Sequence, residues 1–210
     1  MPRPRFDTID PERRHRILSS AAESFRHGGL HGASLNDILA AAGISKGAYY
    51  YYFDDKMDLY ATVIDEAVRR FEAVFAGRPP VEELSASDFW SSLEDNYRSL
   101  FSFSVDNAEV VELVQTLSDV SPEEVEQLGV DARCLSWLQR YLERGQELGV
   151  VRSDLPLNVL TRLAGSVDKS MGRWLFENPE DGIGMLDERT AQIVEMLRRV
   201  LEAHVQFPDH

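Results

Sequence analysis

Apolar residues recur every three to four positions along most of the chain, a period that predicts helices rather than strands. Ile17, Leu18, Ala21, Ala22 and Phe25 would form the inner face of a first helix over about 11–28. Leu35, Ile38, Leu39 and Ala42 give a short second helix, with Ser34 as its N-cap and Asp37 three residues on. Tyr60, Ile64, Ala67, Phe71 and Phe75 fall on one stripe of a long helix from Lys56 to about Ala76, which Gly77-Arg78-Pro79-Pro80 stops. Further helices are expected through Phe89, Leu93, Tyr97 and Phe101, and over about 107–118 through Val110, Val111, Val114 and Leu117. Ser121-Pro122-Glu123-Glu124 supplies an N-cap, a proline at N1 and early acids for a helix running toward Leu148. Asp154-Leu155-Pro156 opens a helix reaching about Phe176, and Asp187 opens a last one ending near Val205. No strand, repeat or low-complexity run stands out, and Val150-Val151 is too short to count as one. The fold class is all-α.

The segment from Gly43 to Lys56 carries the chemistry. Gly43 suits the left-handed conformation that ends a helix, and Ile44 can plug the gap to the next one. Ser45 caps a third, short helix with Lys46 and Gly47 at its start, an end whose free backbone N–H groups suit phosphate. Asp55 then caps the following helix, with Asp58 at its N3 position. Two short helices across a tight turn read as a helix-turn-helix, whose second helix enters a DNA major groove. Four consecutive tyrosines, Tyr49 to Tyr52, cannot all be buried on one helix. By the helical period Tyr49 and Phe53 share the inner face, while Tyr50 and Tyr51 lie toward groove and phosphates.

Here the chain resembles the tetracycline-repressor-like (TetR-type) transcriptional regulators. The matching residues are Ile17-Leu18, Ala21-Ala22, Phe25, Gly28-Gly29, Ser34, Ile38, Ala41 to Gly47, Tyr50, Tyr52-Phe53, Lys56 and Leu59. The resemblance covers only the first quarter of the chain. It implies an N-terminal three-helix DNA-binding domain over 1–57, with a flexible arm over about 1–10. A larger helical domain over 58–210 would bind an effector and dimerise. It also implies DNA contacts at Lys46, Tyr50, Tyr51 and Tyr52 and a phosphate clamp at Lys56, to which Ser34, Ser45 and Gly47 are added as contacts. Tyr52 could equally have a packing role alone, and the cap alone would explain Ser34.

The same resemblance places an effector pocket among the middle helices and a four-helix dimer interface in the last two. The aromatic stock suggests Phe71, Phe75, Tyr97, Phe101, Trp137 and Tyr141 as pocket lining, with Asp168 and Met171 beside them. Asn96, Gln115, Arg133, Asp168 and Lys169 are the polar anchors to consider. The interface would use Leu160, Ala164, Val167 and Trp174 on one helix and Ile193, Leu197, Val200 and Leu201 on the other. Intramolecular core is the competing reading of both stripes.

Total charge argues against DNA binding, but its distribution does not. The 210 residues carry a net charge of −14. Residues 1–60, however, hold 8 Lys/Arg and 8 Asp/Glu, and the acidity lies entirely in residues 61–210. Arg3, Arg5, Arg13, Arg14 and Arg16 cluster where they could reach phosphates. An acidic body repels DNA and makes affinity strongly salt-dependent.

No apolar run approaches the ~20 residues needed to cross a bilayer, and the N-terminus lacks a signal-peptide core. Cys134 is the single cysteine, which fits a reducing cytoplasm and gives no cysteine metal cluster. His27 and His31 lie four apart, but Gly28-Gly29 breaks the helix between them, so no metal site is expected. No catalytic motif or cofactor-binding fingerprint is present.

The expected function is a cytoplasmic, homodimeric regulator, most simply a repressor, released from a pseudo-palindromic double-stranded operator by a small hydrophobic effector. The alternatives are a transcriptional activator, a small-molecule carrier whose helix-turn-helix no longer binds DNA, and an enzyme with a divergent site in the body.

Overall fold

A computed structural model of the chain describes the backbone of residues 2–121, 123, 124, 128, 130–177 and 186–203, and their side chains except at 118, 130–136, 168, 169, 171–177 and 186. The helices are α1 (Pro11–Gly32), α2 (Leu35–Ala42), α3 (Lys46–Tyr52), α4 (Lys56–Ala73), α5 (Phe89–Asp106), α6 (Ala108–Gln115), α7 (Val130–Glu147), α8 (Leu157–Glu177) and α9 (Leu186–Leu201). Short 3-10 turns occupy Pro4–Phe6, Val81–Glu83 and Thr116–Asp119. Among the described residues the one β feature is an isolated antiparallel bridge between Val151 and Glu202. None of the described helices is long and apolar enough to cross a membrane.

Two compact units emerge, residues 1–73 with 107–131 and residues 74–106 with 132–210. They cut across the functional division expected at 57/58, because α4, α6 and the turn after α6 all belong to the first unit.

In the first unit α1 packs on α2, α4 and α6. Ile17, Leu18, Ala21 and Phe25 are buried as the period requires. Phe25 meets the ring of Tyr60 edge-on at 4.9 Å. Gly29 leaves helical geometry (φ 59°), so α1 kinks where the Gly28-Gly29 pair was expected to break it.

The second unit has its own core of Phe89, Leu93, Tyr97, Leu142, Leu160 and Ile193, among others. Gly145 sits at its tightest point. A Cβ there would lie 2.6 Å from the Phe89 ring and clash with Val151, so only glycine lets α7 approach them. Strand-like pairing at 150–152 closes this core, with Arg152 N–H donating to Leu201 O (2.8 Å) and Ala203 N–H to Val150 O (3.1 Å).

Candidate nucleic-acid interface

The turn between α2 and α3 is built from its caps. Ser34 Oγ accepts from Asp37 N–H (3.3 Å) and starts α2. Gly43 takes the left-handed conformation (φ 65°), its N–H bonding to Ala40 O and that of Ile44 to Leu39 O. Ser45 Oγ accepts from Ala48 N–H (3.1 Å) and starts α3. Asp55 accepts from Asp58 N–H (2.8 Å), and the Asp58 carboxylate accepts from Asp54 N–H (3.2 Å), a reciprocal cap for α4. Each capping serine uses Oγ as acceptor, leaving its hydroxyl proton for a group outside.

These caps fix which side chains face outward. Ser34, Ser45, Lys46 and Gly47 are exposed. Tyr50 and Tyr51 are 46% and 49% exposed, although tyrosine usually buries most of its ring. Tyr49 and Phe53 are fully buried and stack at 5.5 Å, as the helical period requires. Burial, with the Asp55 and Asp58 carboxylates nearby, pushes the Tyr49 phenol up and keeps it neutral.

Two of the expected contact residues have partners inside the protein. Tyr52 is only 8% exposed, its ring edge-on to Phe6 at 5.7 Å, so its role is packing. The Lys56 ammonium donates to Ala33 O (3.0 Å) and His31 O (3.2 Å). A lysine is unfavourable at the start of α4, but here it neutralises the carbonyl end of α1.

The arm expected over 1–10 is partly ordered. Pro4–Phe6 forms a turn, and Phe6 is fully buried 4.6 Å from the Phe53 ring. Arg3 N–H donates to Tyr52 O (2.9 Å), and Arg3 Nε to Asp54 (3.1 Å). A lone Phe6 among polar residues and prolines carries no periodicity, so the pattern could not reveal it. His27 pairs with Glu23 (2.9 Å) and His31 faces Glu124 (3.5 Å), so the two histidines take separate carboxylate partners.

The C-terminal assignments are redistributed. Leu160, Ala164, Ile193, Leu197 and Leu201 are buried in the second unit's own core, with Val167 packed against it. The expected interface stripe is therefore mostly intramolecular. Val159 and Leu163 on α8, and Met196 and Val200 on α9, are the large apolar residues left exposed there. Among the described side chains of the expected set, Val200 alone is exposed. The side chains of Asp168, Met171 and Trp174, with the anchors Arg133 and Lys169, lie outside the described residues.

Of the expected pocket residues, Phe75, Trp137 and Tyr141 form one contact series. Phe75 stacks on Trp137 at 5.0 Å, and Trp137 meets Tyr141 at 5.6 Å. Tyr97 pairs with Phe101 at 5.7 Å, and both are buried in the core. Phe71 belongs to the first unit.

Sequence reasoning gave Arg78 only a helix-stopping role. Its guanidinium lies over the Phe75 ring (5.8 Å) and donates to Asp95 O, Ser99 Oγ and Asn96 Oδ1. This places a cation beside the aromatic series. A cleft of about 600 Å³ between α1, α4 and α6, floored by Leu18, Val63 and Leu113, was also not foreseen.

Residues 17–63 match the family model of bacterial regulatory proteins of the tetR family. The HTH-type transcriptional regulator AcrR of Shigella flexneri is 36% identical over 75 residues, covering 32% of this chain and 35% of that protein. Over this segment the chain is similar to the tetR-family regulators. Its relatives are named as transcriptional regulators, not enzymes. The match to AcrR spans only about a third of that regulator's length.

Beyond this segment, the likeness to known proteins is one of fold. A TetR family transcriptional regulator from Chloroflexus aurantiacus superposes with a TM-score of 0.69 at 22% identity, covering 97% of this chain and 100% of that one. The regulator FadR of Bacillus subtilis, solved with stearoyl-CoA, superposes with a TM-score of 0.70 at 17% identity, covering 87% of this chain and 96% of that one.

Proposed function

We propose that this protein is a homodimeric, ligand-responsive DNA-binding regulator of the tetR type, acting as a repressor. The observation that carries the reading is the outward face of α3, where Lys46, Gly47, Tyr50 and Tyr51 stand exposed on a helix capped at its start. Nothing inside the fold requires Gly47, since an added Cβ would meet only Ser45 Oγ at 3.9 Å. Open space at that position suits close approach of a DNA backbone. Ser34 and Ser45 add hydroxyl donors, and Lys56 organises the head from behind.

Two such heads about 34–36 Å apart would read a pseudo-palindrome in successive major grooves. The pairing face is Val159, Leu163, Met196 and Val200, each pair one helical turn apart on its helix. The effector is a small hydrophobic molecule held by the aromatic series of the second unit, with Arg78 positioned to meet an anionic group. The fold shared with a FadR solved with stearoyl-CoA supports that ligand class.

The chain passes between units at the end of α4, between α5 and α6, and in the first turn of α7. An effector that shifts α5 therefore pulls on α6, which packs on α1 and α4 beside the reading helix. By linkage, an effector that favours the DNA-incompetent arrangement weakens operator binding by the factor by which operator weakens effector binding.

Selection from a random-sequence duplex library at low salt tests the reading, with Lys46→Ala/Tyr50→Ala as the control. Enrichment of one pseudo-palindrome by the native chain alone is the expected result. Failure of the native chain to enrich any sequence would reject it and leave a small-molecule carrier as the better account. Stearoyl-CoA added to the bound duplex tests the effector class, and unchanged affinity at saturation would exclude it.

A further inference from the structure

The N-terminal turn supports the last residue of α3, and one side chain of that turn lies on the helix's exposed surface. Arg5 places its guanidinium carbon 4.7 Å from the centre of the Tyr51 ring. Both side chains are exposed. We infer that Arg5 is a DNA-contacting residue, held over Tyr51 so that it donates to a backbone phosphate beside the groove that α3 enters. This inference rests on the DNA-binding reading and adds a contact outside the helix-turn-helix.

Three observations carry it. First, the backbone around Arg5 is anchored on both sides. Arg3 N–H bonds to Tyr52 O at 2.9 Å, and Phe6 N–H to Arg3 O at 2.8 Å. The Phe6 ring is fully buried against Phe53 and Tyr52. An arm fixed in this way does not have to be ordered when DNA arrives, which removes an entropic cost of binding.

Second, two neighbouring arginines are held by carboxylates. Arg3 pairs with Asp54 and Arg14 with Glu66. Arg5 has no ion pair among the described residues. Its charge is held by an aromatic face instead of a carboxylate.

Third, the donors of the group stay open. A guanidinium carries five N–H donors in its own plane, and this one, exposed beside an exposed ring, can offer two of them together to a phosphate. Tyr51 thereby acts as a platform as well as a contact. Sequence alone suggested only that several arginines could reach phosphates, and it is the burial of Phe6 that singles out Arg5.

The test uses the full chain and the duplex that the native protein enriches from a random library. Affinities are measured between about 0.05 and 0.3 M salt for the native chain, Arg5→Ala, Tyr51→Ala and the double variant, with thermal midpoints alongside. Removing one phosphate-binding cation should lower the slope of log K against log salt by about 0.9 and weaken binding about fivefold at 0.15 M salt. Arg5→Ala should show that change in each head with an unchanged midpoint. The double variant should bind better than the product of the single losses predicts, because Arg5 loses its platform when Tyr51 is gone. An unaltered slope for Arg5→Ala, or effects that simply multiply, would overturn the inference while the DNA-binding reading stands. If the native chain enriches no duplex, both fall.

Discussion

The buried hydroxyls of Tyr60 and Thr116 meet at 2.7 Å, tying α4 to the turn that follows α6. Thr116 gives its own proton to Leu113 O (2.6 Å), so Tyr60 must be the donor of the pair. Tyr60→Phe removes a donor and leaves Thr116 still bonded, costing about 1 kcal/mol. Thr116→Val leaves the Tyr60 hydroxyl buried without its acceptor, costing about 1–3 kcal/mol. Urea unfolding should rank the threonine variant below the tyrosine variant, and the double variant should lose less than their sum. The reverse ranking would refute the donor assignment.

Stability should also fall in alkali. Burial pushes the Tyr141 phenol up from 10.0 to about 12, with its hydroxyl donating to Phe89 O (2.8 Å). The folded state thus holds this proton more tightly than the unfolded chain does. Its contribution is complete below pH 10.0 and is lost as pH rises toward about 12. The amount at stake is on the order of 2–3 kcal/mol. Burial raises Tyr49 and Tyr60 in the same direction. Unfolding measured against pH should show a loss over this window that is smaller in Tyr141→Phe. An identical loss in that variant would mean that Tyr141 is not its source.

Gly145→Ala should be among the most damaging single-methyl additions to the chain. The added carbon would lie 2.6 Å from Phe89 and clash with Val151, both packed in the second unit's core. Overpacking of this kind costs about 1–3 kcal/mol or more. A midpoint in denaturant equal to the native value would show that the core relaxes around it.

Sedimentation separates the two readings of α8 and α9. Leu163→Asp places a charge on an exposed apolar position and should convert dimer to folded monomer. Leu160→Ala, in the core, should lower stability by about 2–5 kcal/mol. Dimers that persist in Leu163→Asp would move the pairing surface elsewhere.

How far the sequence could be read follows from where its signals came from. The helix-turn-helix was legible residue by residue, because Ser34, Gly43, Ser45 and Asp55 each do one local job that depends on few neighbours. The inward turn of Tyr49 and Phe53 followed from the helical period alone. The α8 and α9 stripes were located, but periodicity states that a face is apolar without stating what covers it. The structure buries Leu160 and Leu197 within the chain and leaves Leu163 and Val200 exposed. The partners of Lys56 inside the protein were not legible, because the carbonyls at residues 31 and 33 are more than twenty residues away. Phe6 and Arg78 went unassigned for the same reason, since their partners are distant in sequence.

The central claim is that the exposed face of α3 reads DNA while its buried face holds the head together. Affinity for the selected duplex and thermal midpoint, measured together for Tyr50→Ala and Tyr52→Ala, test it most directly. Tyr50→Ala should lose about tenfold or more in affinity, as expected for about 1–3 kcal/mol of groove contact, with the native midpoint retained. Tyr52→Ala should lower the midpoint, because it removes a buried ring packed against Phe6. Native-like binding by Tyr50→Ala, or a loss seen only with a falling midpoint, would contradict the account.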